Sequence, residues 1–473
     1  MFSSLAMEIL LLSLLSLCYV FFYLFKLVLK RRDQSCYMLA YECYKPPEDT
    51  KLDIDLYEKI CLRNRSLGLE EFKFLLKCMT KSGIGGNTYA PRNIIEGRES
   101  DATVEDSLKE MDEIMFDTLD NLFTSTKFSP SKIDILVVSV SSFVPVPSLT
   151  SRIINRYKLR DNIKAFNLGG MGCCGSGIAI DLVQRLLKTY KNSYAVVVCS
   201  ECLSQSWYCG KVKSMMLPYC LFRSGGCSML FTNMSSQKRI AMMRLKHVER
   251  THLGAKDEAY GCAMLVEDGQ GYPGFGLARS LPKAAAEALE MNLKILVPKI
   301  LPLWKILWYF SVFLCKCIMK KALMSNMLGS LELKSGIEHF CVHPGGRAVV
   351  EEVAKWLRLN DYDIEPSKMT IHRWGNTSAS GVWYVFSYME AKKRLKKGDR
   401  ILMIGLGSGF KCCNCVWEVM RDLESANVWK DCIDSYSPTT LTSIFEERYG
   451  WINDPANQAV IEAQLLAKIH PSN

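Results

Sequence analysis

Hydrophobic positions along the chain occur in two patterns, short continuous runs and repeats with helical spacing. Residues 133–140 have the composition of a buried strand, and similar runs begin at Ile163 and Tyr194. Between these last two, residues 178–190 place their apolar side chains on one helical face. Strands that alternate with helices in this way predict a parallel sheet with helices on both faces.

The same alternation returns in the last third of the chain. Strands are predicted at residues 337–342 and 400–404, with a helix over residues 347–359 between them. We therefore predict two halves of similar α/β architecture, residues 76–290 and residues 329–473. No internal repeat of individual residues relates the two halves.

An N-terminal transmembrane helix is predicted within residues 1–32, the membrane anchor. Residues 9–25 are uncharged and mostly apolar, and residues 27–29 extend the stretch past Lys26 to about the 20 residues that span a bilayer. All three residues at 30–32 are basic and no Lys or Arg precedes the run, so the positive-inside rule predicts a cytosolic catalytic domain. A cleaved signal peptide is less favoured, because the chain has no basic segment before the run.

Two further segments are predicted from their polarity. Residues 33–75 are polar and broken by Pro46 and Pro47, which is typical of a connector between membrane and catalytic body. Residues 291–328 contain a second apolar stretch at 301–319 with aromatic residues inside it and lysines towards its ends. We predict that this insert lies in the membrane interface, with a core helix as the alternative and a second span less favoured.

Composition narrows the possible functions. The 473 residues are 49% hydrophobic and carry a formal charge of +10, but the basic residues are scattered. The sequence has no long basic run interleaved with aromatic residues, the pattern that would predict a groove for nucleic acid. Its basic surface is better suited to binding a membrane or phosphorylated ligands. The 20 cysteines of a cytosolic domain are expected to be reduced, and the two C-x-x-C pairs are too far apart to form a zinc ribbon.

A glycine-rich turn carries the first candidate for catalysis. Residues 163–168 predict a strand, five glycines follow within residues 169–177, and the helix begins where Cys173 and Cys174 stand. The N-terminal end of a helix has unpaired backbone N–H groups and a positive dipole, so a thiol there is expected to have a lowered pKa. Cys173 is therefore a candidate nucleophile, and Cys174 could compete with it.

Two other interpretations of the turn remain open at this point. Gly170, Gly172 and Gly175 also spell G-x-G-x-x-G between a strand and a helix, and Glu201 ends the next strand near where a ribose-binding acid would stand. Alternatively, the turn is simply glycine-rich and its two thiols are buried.

Histidine and asparagine supply further candidates. His343 ends a predicted strand just before a Gly-Gly turn, and chemistry in open α/β sheets collects at the carboxyl ends of strands. Asn376 stands in a polar turn before a helix. Either residue alone is more often structural, but a cysteine, a histidine and an asparagine together are more specific.

Six long stretches, in this order along the chain, point to a known family. They are SSFVPVPSL from Ser141, YKLRDNIKAFNLGGMGCCGSG around Cys173, RTHLGAKDEAYGC from Arg250, HFCVHPGGRAVVEE from His339, HRWGNTSASGVWY from His372 and GDRILMIGLGSGFKC ending at Cys412. With these motifs the chain resembles, over nearly its whole length, the plant membrane-bound 3-ketoacyl-CoA synthases, the condensing enzymes of very-long-chain fatty-acid elongation.

The resemblance implies a thiolase-like fold with five layers, αβαβα, and a homodimer. It implies Cys173 as nucleophile with His343 and Asn376 as its partners. His252, His339 and His372 fall on other family histidine positions, for which structural support of the pocket is the preferred interpretation. Backbone N–H groups near Cys173 and in the turn Gly407, Ser408 and Gly409 are implied candidates for an oxyanion site.

The resemblance also implies a reaction and a cellular setting. Cys173 would take the acyl group of a long-chain acyl-CoA as a thioester, and malonyl-CoA would lose CO2 to give an enolate that attacks it. His343 and Asn376 would stabilise that enolate, without a metal or redox cofactor. The implied location is the endoplasmic reticulum membrane, beside other elongase-complex enzymes and without nucleic acid.

The chain departs from the family pattern near the expected pocket. Cys174, Gly175 and Ser176 stand where Ser-Ala-Gly is common, and Val144 and Val146 stand where Asn and Thr are frequent. Three other hypotheses therefore stay open. They are a non-catalytic acyl-CoA-binding regulator of an elongase complex, a soluble type III polyketide synthase, and a nucleotide-binding oxidoreductase.

Overall fold

The computed structural model describes residues 19, 21–23, 35–302, 304–305, 333–436, 443–454, 462–463 and 465–466. The predicted anchor, apart from Tyr19 and residues 21–23, and most of the apolar stretch 301–319 lie outside the described residues. Within the described part of the chain, no helix combines the length and the apolar composition that crossing a bilayer requires.

Strands of the described chain are numbered in order along the sequence. They are β1 (Cys36–Cys43), β2 (Lys51–Leu52), β3 (Thr88–Tyr89), β4 (Ile135–Ser139), β5 (Lys164–Leu168), β6 (Tyr194–Ser200), β7 (Gly226–Thr232), β8 (Met243–His252), β9 (Ala263–Glu267), β10 (Pro273–Leu277), β11 (His339–Val342), β12 (Arg400–Gly407) and β13 (Lys411–Val419).

Helices are numbered in the same way. They are α1 (Ile54–Arg63), α2 (Leu69–Ser82), α3 (Arg92–Ile95), α4 (Val104–Thr126), α5 (Leu149–Tyr157), α6 (Gly175–Thr189), α7 (Lys213–Met216), α8 (Asp257–Tyr260), α9 (Leu281–Ile300), α10 (Arg347–Leu357), α11 (Asp361–Trp374), α12 (Gly381–Ala391) and α13 (Ile444–Tyr449). The Ser148 hydroxyl caps α5 by accepting from the Ser151 backbone N–H, as its position before the helix predicts.

Nine strands form one sheet in the order β11-β12-β13-β8-β1-β7-β6-β4-β5. Only three residue pairs join β1 to β8, so the sheet divides there into two halves. β4 pairs in parallel with β5 and β6, and β11 pairs in parallel with β12, whereas the remaining pairs are antiparallel. The parallel pairing predicted from the alternation of strands and helices is therefore confirmed for β4, β5 and β6 and for β11 with β12, whereas connections such as the tight turn between β12 and β13 return the chain antiparallel.

Alternate residues of the buried strands β4 and β12 enter different cores. Leu136 and Val138 of β4 share a core with α4, whereas Ile135 and Val137 share one with α6 and α12. In the other half of the sheet, alternate residues of β12 likewise enter the α6–α12 core and a third core that contains α9. α6 packs against β4 and β6 on one side and against β12 and β13 on the other. The layers therefore run α4, sheet, α6 with α12, sheet, α9, which is the αβαβα order that the resemblance implies.

Two predicted segment boundaries differ from the structure. The segment 33–75, predicted to be a connector, supplies β1, a central strand whose Tyr41 hydroxyl donates to the buried Glu390 carboxylate at 2.6 Å. The sequence of β1 mixes tyrosines, cysteines and one Glu and therefore does not show the apolar pattern of a buried strand. Its polar atoms can be buried because they form hydrogen bonds in the folded protein. α9 continues through the boundary predicted between residues 290 and 291.

Candidate active site

Strand ends from both halves meet at one cavity of about 280 Å³. Ser141, Cys173 and Glu201 follow the carboxyl ends of the parallel strands β4, β5 and β6, and all three line the cavity. His343 follows β11, and Asn376 follows α11 in the other half of the protein. Both also line the cavity, so the three candidates for nucleophile and partners share one site.

Cys173 lies in a turn of 3-10 helix, residues Gly172–Cys174, directly before α6. Gly172 has φ +65°, a left-handed conformation that glycine adopts without strain. A Cβ at Gly172 would lie 2.6 Å from the Ser408 Oγ and 2.8 Å from the Ser408 backbone nitrogen. Glycine is therefore required here for a second reason, the close contact between the nucleophile turn and the turn after β12.

Burial dominates the electrostatics of the nucleophile. It raises the pKa of the Cys173 thiol to about 12, against a smaller lowering from the Ser378 hydroxyl. The expectation of a pKa lowered by the helix terminus is therefore wrong for this structure. Cys173 also has to lose a proton before it can act as a nucleophile, because the thiolate is the reactive form.

Cys174 is placed differently from Cys173. It is 1% exposed, its Sγ donates to the Met171 carbonyl at 3.3 Å, and it packs with Ile178 and Cys413. It does not line the cavity. Of the two adjacent thiols, the geometry favours Cys173 as the nucleophile.

His343 is buried as an uncharged imidazole. Burial lowers the pKa of its ring to about 4, and its Nδ1 has no hydrogen-bond partner among the described residues. Near neutral pH such a ring can donate one N–H hydrogen bond but supplies no positive charge.

Asn376 is held in place by hydrogen bonds of its backbone N–H, its backbone carbonyl and its side chain. Its backbone N–H donates to the Leu221 carbonyl at 2.9 Å, and its carbonyl accepts from the Arg223 N–H at 3.0 Å. The side-chain oxygen accepts from the Ser378 N–H at 2.9 Å, which leaves the amide nitrogen with one long bond of 3.4 Å to the Gly345 carbonyl. The second amide N–H group is therefore available to a ligand in the cavity.

The turn predicted as an oxyanion site reaches the cavity in part. Gly407 and Ser408 line the cavity, whereas Gly409 does not. The Lys411 ammonium donates to the Ser408 carbonyl at 2.6 Å and the Gly170 carbonyl at 3.4 Å. This contact ties the turn after β12 to the loop that carries Cys173.

The three histidines that the resemblance suggested as support for the pocket, His252, His339 and His372, do not line the cavity. The His252 Nδ1 accepts from the Gly254 N–H at 3.0 Å, and His339 lies 3.0 Å from Asp399 at the far end of β11. The His372 ring lies 3.2 Å from the Tyr436 hydroxyl and packs against Gly85. A structural supporting role for these three histidines stays a prediction.

Sequence reasoning missed two residues of the site. The Ser378 hydroxyl lies 3.6 Å from the Cys173 Sγ and 3.0 Å from the Glu201 Oε2. Its position two residues after Asn376 was the only available signal. Glu201 stands at a strand end, as catalytic residues often do, but the G-x-G-x-x-G pattern suggested that it would bind a ribose.

The glycine pattern does not form a dinucleotide site. A Cβ at Gly175 would lie 2.4 Å from the Ser139 Oγ and 3.3 Å from the Ala379 Cβ. The N-terminus of α6 is thus covered by the turn that follows Asn376, where a pyrophosphate would have to bind. Glu201 instead accepts hydrogen bonds from the backbone of the loop after β4.

Most of the remaining cavity wall is apolar. It comes from the region 203–222, the β9–β10 hairpin, α9, α10, and the end of β12 with the turn after it. Its members are Leu203, Pro218, Tyr219, Leu221, Phe222, Ala263, Leu265, Phe275, Leu277, Leu281, Ala285, Val349, Leu406 and Phe410. A second cavity of about 400 Å³ adjoins it and shares Ser142, Ser206 and Leu265.

Comparison with solved structures defines the class of fold. The type III polyketide synthase domain of Steely1 from Dictyostelium superposes with a TM-score of 0.64 at 14% identity, over 82% of this chain and 99% of that domain. PKS-I of the brown alga Ectocarpus siliculosus gives 0.63 at 15% identity, over 82% and 98%. The fold is thus thiolase-like, of the type III polyketide synthase kind.

Sequence comparison is more specific than the fold. Residues 28–318 match the family described as FAE1/Type III polyketide synthase-like protein, and residues 333–419 match the C-terminal domain of 3-oxoacyl-[acyl-carrier-protein] synthase III. In Arabidopsis thaliana, 3-ketoacyl-CoA synthase 19 is 54% identical over 93% of this chain and 96% of its own length, and 3-ketoacyl-CoA synthase 12 is 48% identical over 93% and 95%. The chain belongs to the 3-ketoacyl-CoA synthase family.

Proposed function

We propose that this protein is a 3-ketoacyl-CoA synthase that condenses a long-chain acyl-CoA with malonyl-CoA. The products are a 3-ketoacyl-CoA and CO2. One observation carries the proposal: Cys173, His343 and Asn376 come from separate parts of the chain and line a single, largely apolar cavity.

The first half-reaction transfers the acyl group to the enzyme. The Cys173 thiolate attacks the thioester carbonyl of acyl-CoA, and coenzyme A leaves with a proton. Negative charge develops on the carbonyl oxygen during the attack. Backbone N–H groups beside Cys173, and those of Gly407 and Ser408 in the contacting turn, are the candidate donors to this oxygen.

The second half-reaction forms the carbon–carbon bond. Malonyl-CoA loses its carboxylate as CO2, which leaves an enolate on its thioester oxygen. The uncharged His343 ring and the Asn376 amide each offer an N–H group to that oxygen. The enolate carbon then attacks the acyl group on Cys173 and regenerates the thiolate.

The apolar wall favours a long hydrocarbon chain as the acyl substrate. Each methylene transferred from water to an apolar surface contributes about 0.8 kcal/mol, or roughly fourfold in binding. The wall includes Leu281 and Ala285, both in the first turns of α9.

We further propose that the protein is anchored in the endoplasmic reticulum membrane with its catalytic body in the cytosol. The apolar run at residues 9–25 and the basic residues 30–32 support this arrangement. Alkaline extraction and protease protection of microsomes test it. Release of the full-length protein by carbonate, or protection of the catalytic body from added protease, would contradict it.

A homodimer is proposed from the edge of the sheet. β5 is the last strand in the sheet order and pairs with β4 alone among the described strands. An unpaired edge is a template for strand pairing, and Val144 and Val146 beside it are 61% and 98% exposed. Light scattering of the detergent-solubilised protein tests this, with a monomeric mass as the contrary result.

The 3-keto group of the product must be reduced before another round of elongation. We therefore propose that the protein works beside the other enzymes of an elongase complex. Co-purification from microsomes with a 3-ketoacyl-CoA reductase activity tests this, and a preparation that carries none would contradict it.

Purified protein supplied with long-chain acyl-CoA and carboxyl-labelled malonyl-CoA tests the central proposal. We expect labelled CO2 and a 3-ketoacyl-CoA two carbons longer than the acyl substrate, and no 3-ketoacyl-CoA from Cys173→Ala. Binding of acyl-CoA without either product from the native protein would favour a regulatory role instead.

A further inference from the structure

Arg223 is a buried cation without an acidic partner. Its side chain is 2% exposed, and burial lowers the pKa of the guanidinium only to about 10, so the group stays charged near neutral pH. It donates to the Thr88 hydroxyl at 2.8 Å and to the carbonyls of Tyr219 and Phe222 at 3.1 and 2.7 Å. No carboxylate pairs with it among the described residues. Because an uncompensated buried charge is costly, another kind of counter-ion is expected.

Thiols surround Arg223 where a carboxylate would be expected. Cys220, Cys61 and Tyr57 are the titratable groups that act on its guanidinium. The Sγ of the fully buried Cys220 lies 3.5 Å from the Tyr57 hydroxyl and forms a hydrogen bond with the Cys78 thiol of α2. The hydrogen bonds from Cys78 and Tyr57, with the charge of Arg223, lower the pKa of Cys220 against the effect of burial.

The neighbours of Cys220 keep their protons. Burial raises the pKa values of Tyr57 and Cys61, and the hydrogen bond with Cys220 raises the pKa of the Cys78 thiol. Lys81 acts on Cys78 in the opposite direction and more weakly. The two sulfurs therefore share one proton, as a thiol at Cys78 and a thiolate at Cys220 that serves as the counter-ion.

This pair of sulfurs connects α2 to the wall of the catalytic cavity. Cys220 ends a turn of 3-10 helix that packs against α2, and four residues of the segment 218–222 line the cavity. The Leu221 carbonyl accepts from the Asn376 N–H at 2.9 Å, and the Arg223 N–H donates to the Asn376 carbonyl at 3.0 Å. A chemical change at Cys220 can therefore reach both the apolar wall and Asn376.

A small oxidant has a route to the thiolate. A separate cavity of about 40 Å³ is lined by Tyr57, Cys61 and Tyr219, which are neighbours of Cys220 in space or in the chain. About 10–15 Å³ is enough for one water, so hydrogen peroxide fits this cavity. Cys78 is half-buried and lies on the other side of the reactive sulfur as a potential resolving thiol.

We propose that Cys220 and Cys78 form a redox switch that closes to a disulfide under hydrogen peroxide and lowers synthase activity, the effect on activity resting on the proposed function. The Cys220 thiolate attacks one peroxide oxygen, the O–O bond breaks, and the products are a Cys220 sulfenic acid and hydroxide, which takes a proton from solvent. The Cys78 sulfur then attacks the Cys220 sulfur, and its proton leaves with the sulfenic oxygen as water. The two sulfurs lose two electrons, and the peroxide is reduced to water.

Oxidation removes the counter-ion of Arg223. A disulfide carries no charge, so the guanidinium is left buried among neutral groups and its surroundings have to rearrange. The two sulfurs also have to approach to about 2 Å, closer than any hydrogen bond. Both changes displace the segment 218–222 and the hydrogen bonds that hold Asn376. A shift of about 1 Å between reacting groups can cost roughly 100-fold in rate, so we expect a loss of at least about tenfold.

Mass spectrometry tests the disulfide without any substrate. Full-length protein in detergent is treated with hydrogen peroxide, free thiols are blocked with iodoacetamide, and peptides are compared before and after reduction. We expect a peptide pair that joins Cys78 to Cys220 in the native protein and in Cys173→Ala, which removes the catalytic thiol as a competing target. Absence of this pair, or a bridge from Cys220 to Cys61 instead, would overturn the switch.

The rate of bridge formation tests the thiolate. Tyr57→Phe removes one donor to Cys220, so we expect the bridge to form about tenfold more slowly, the scale of one hydrogen bond to a charged group. Cys61→Ser, a change in the same cluster that leaves both donors to Cys220, should form the bridge within about threefold of the native rate. Equal rates for Tyr57→Phe and the native protein would contradict the shared-proton pair.

Activity after oxidation completes the test. Peroxide should inhibit the native protein, and a thiol reductant should restore it. Cys78→Ser keeps a hydroxyl donor beside Cys220 and should keep its basal activity, but its Cys220 sulfenic acid should go on to the irreversible sulfinic acid, so the reductant should no longer restore it. If the reductant restores both proteins equally, the switch fails and the proposed function stands. If the bridge forms but the reduced native protein makes no 3-ketoacyl-CoA, the proposed function fails and the thiol pair stands.

Discussion

Replacing Gly172 by alanine should damage the active site through two separable effects. The first is conformational, because φ is +65° at this position and an L-residue pays about 1–2 kcal/mol in the left-handed region. The second is steric, because the new Cβ would lie 2.8 Å from the Ser408 backbone nitrogen. A backbone atom cannot rotate away, so one of the two turns has to move.

Gly170 provides a matched control for the conformational part. Its φ is +66°, and a Cβ there meets nothing within 4 Å. We expect Gly170→Ala to lower the free energy of unfolding by about 1 kcal/mol, since the loss is partly offset by a stiffer unfolded chain. Gly172→Ala should add about 1–3 kcal/mol for overpacking. Gly269→Ala, with open space and no left-handed φ, gives the baseline.

The difference between Gly172→Ala and Gly170→Ala should be larger in catalytic activity than in stability. A displacement of about 1 Å between reacting groups can cost roughly 100-fold in rate, and the Gly172 turn carries the nucleophile. Denaturant unfolding measures stability, and release of labelled CO2 from malonyl-CoA measures activity. If Gly172→Ala were no less stable than Gly170→Ala and within threefold of the native activity, the close contact between the two turns would be refuted.

Three further predictions follow from burial. Cys174→Ala should keep activity within about tenfold of the native level, because its thiol faces the Met171 carbonyl rather than the cavity, and acyl labelling of the protein measures this. Burial raises the pKa of Glu390 to about 7, so the folded protein holds this proton more tightly than the unfolded chain does. Stability should therefore fall by up to about 3 kcal/mol between pH 4 and 7 through this group, and denaturation of Glu390→Gln should lack that component. Ala285→Phe should shift products to shorter chains by filling the apolar wall, unlike Ile295→Phe on the exposed face of α9; gas chromatography of the products decides, and equal profiles would contradict this.

Local patterns were sufficient for the elements that surround the site. The apolar run before the glycine turn predicted β5, the run before His343 predicted β11, and Ser148 predicted the start of α5. These predictions succeed because burial and capping act over a few neighbouring residues. Local pattern did not predict β1, because the hydrogen-bond partner of its Tyr41 side chain is hundreds of residues away in the sequence.

Electrostatics could not be predicted in the same way. A helix terminus suggests an acidic thiol at Cys173, but desolvation is larger and reverses the direction of the shift. Burial is a property of the packed turns around the thiol, including Ser408 and Ser378, which come from the other half of the chain. The ribose-binding role suggested for Glu201 was wrong because its neighbours also come from distant segments, the loop after β4 and the turn that holds Ser378.

The amino-acid sequence by itself determined which residues are available for chemistry, where strands end beside them, and to which family the motifs point. Only the tertiary structure decided that one thiol faces the cavity and its neighbour does not, and that a serine and a glutamate connect to the reactive sulfur. The reason is that periodicity and propensity are local, whereas orientation, desolvation and hydrogen-bond partners arise where distant segments pack together.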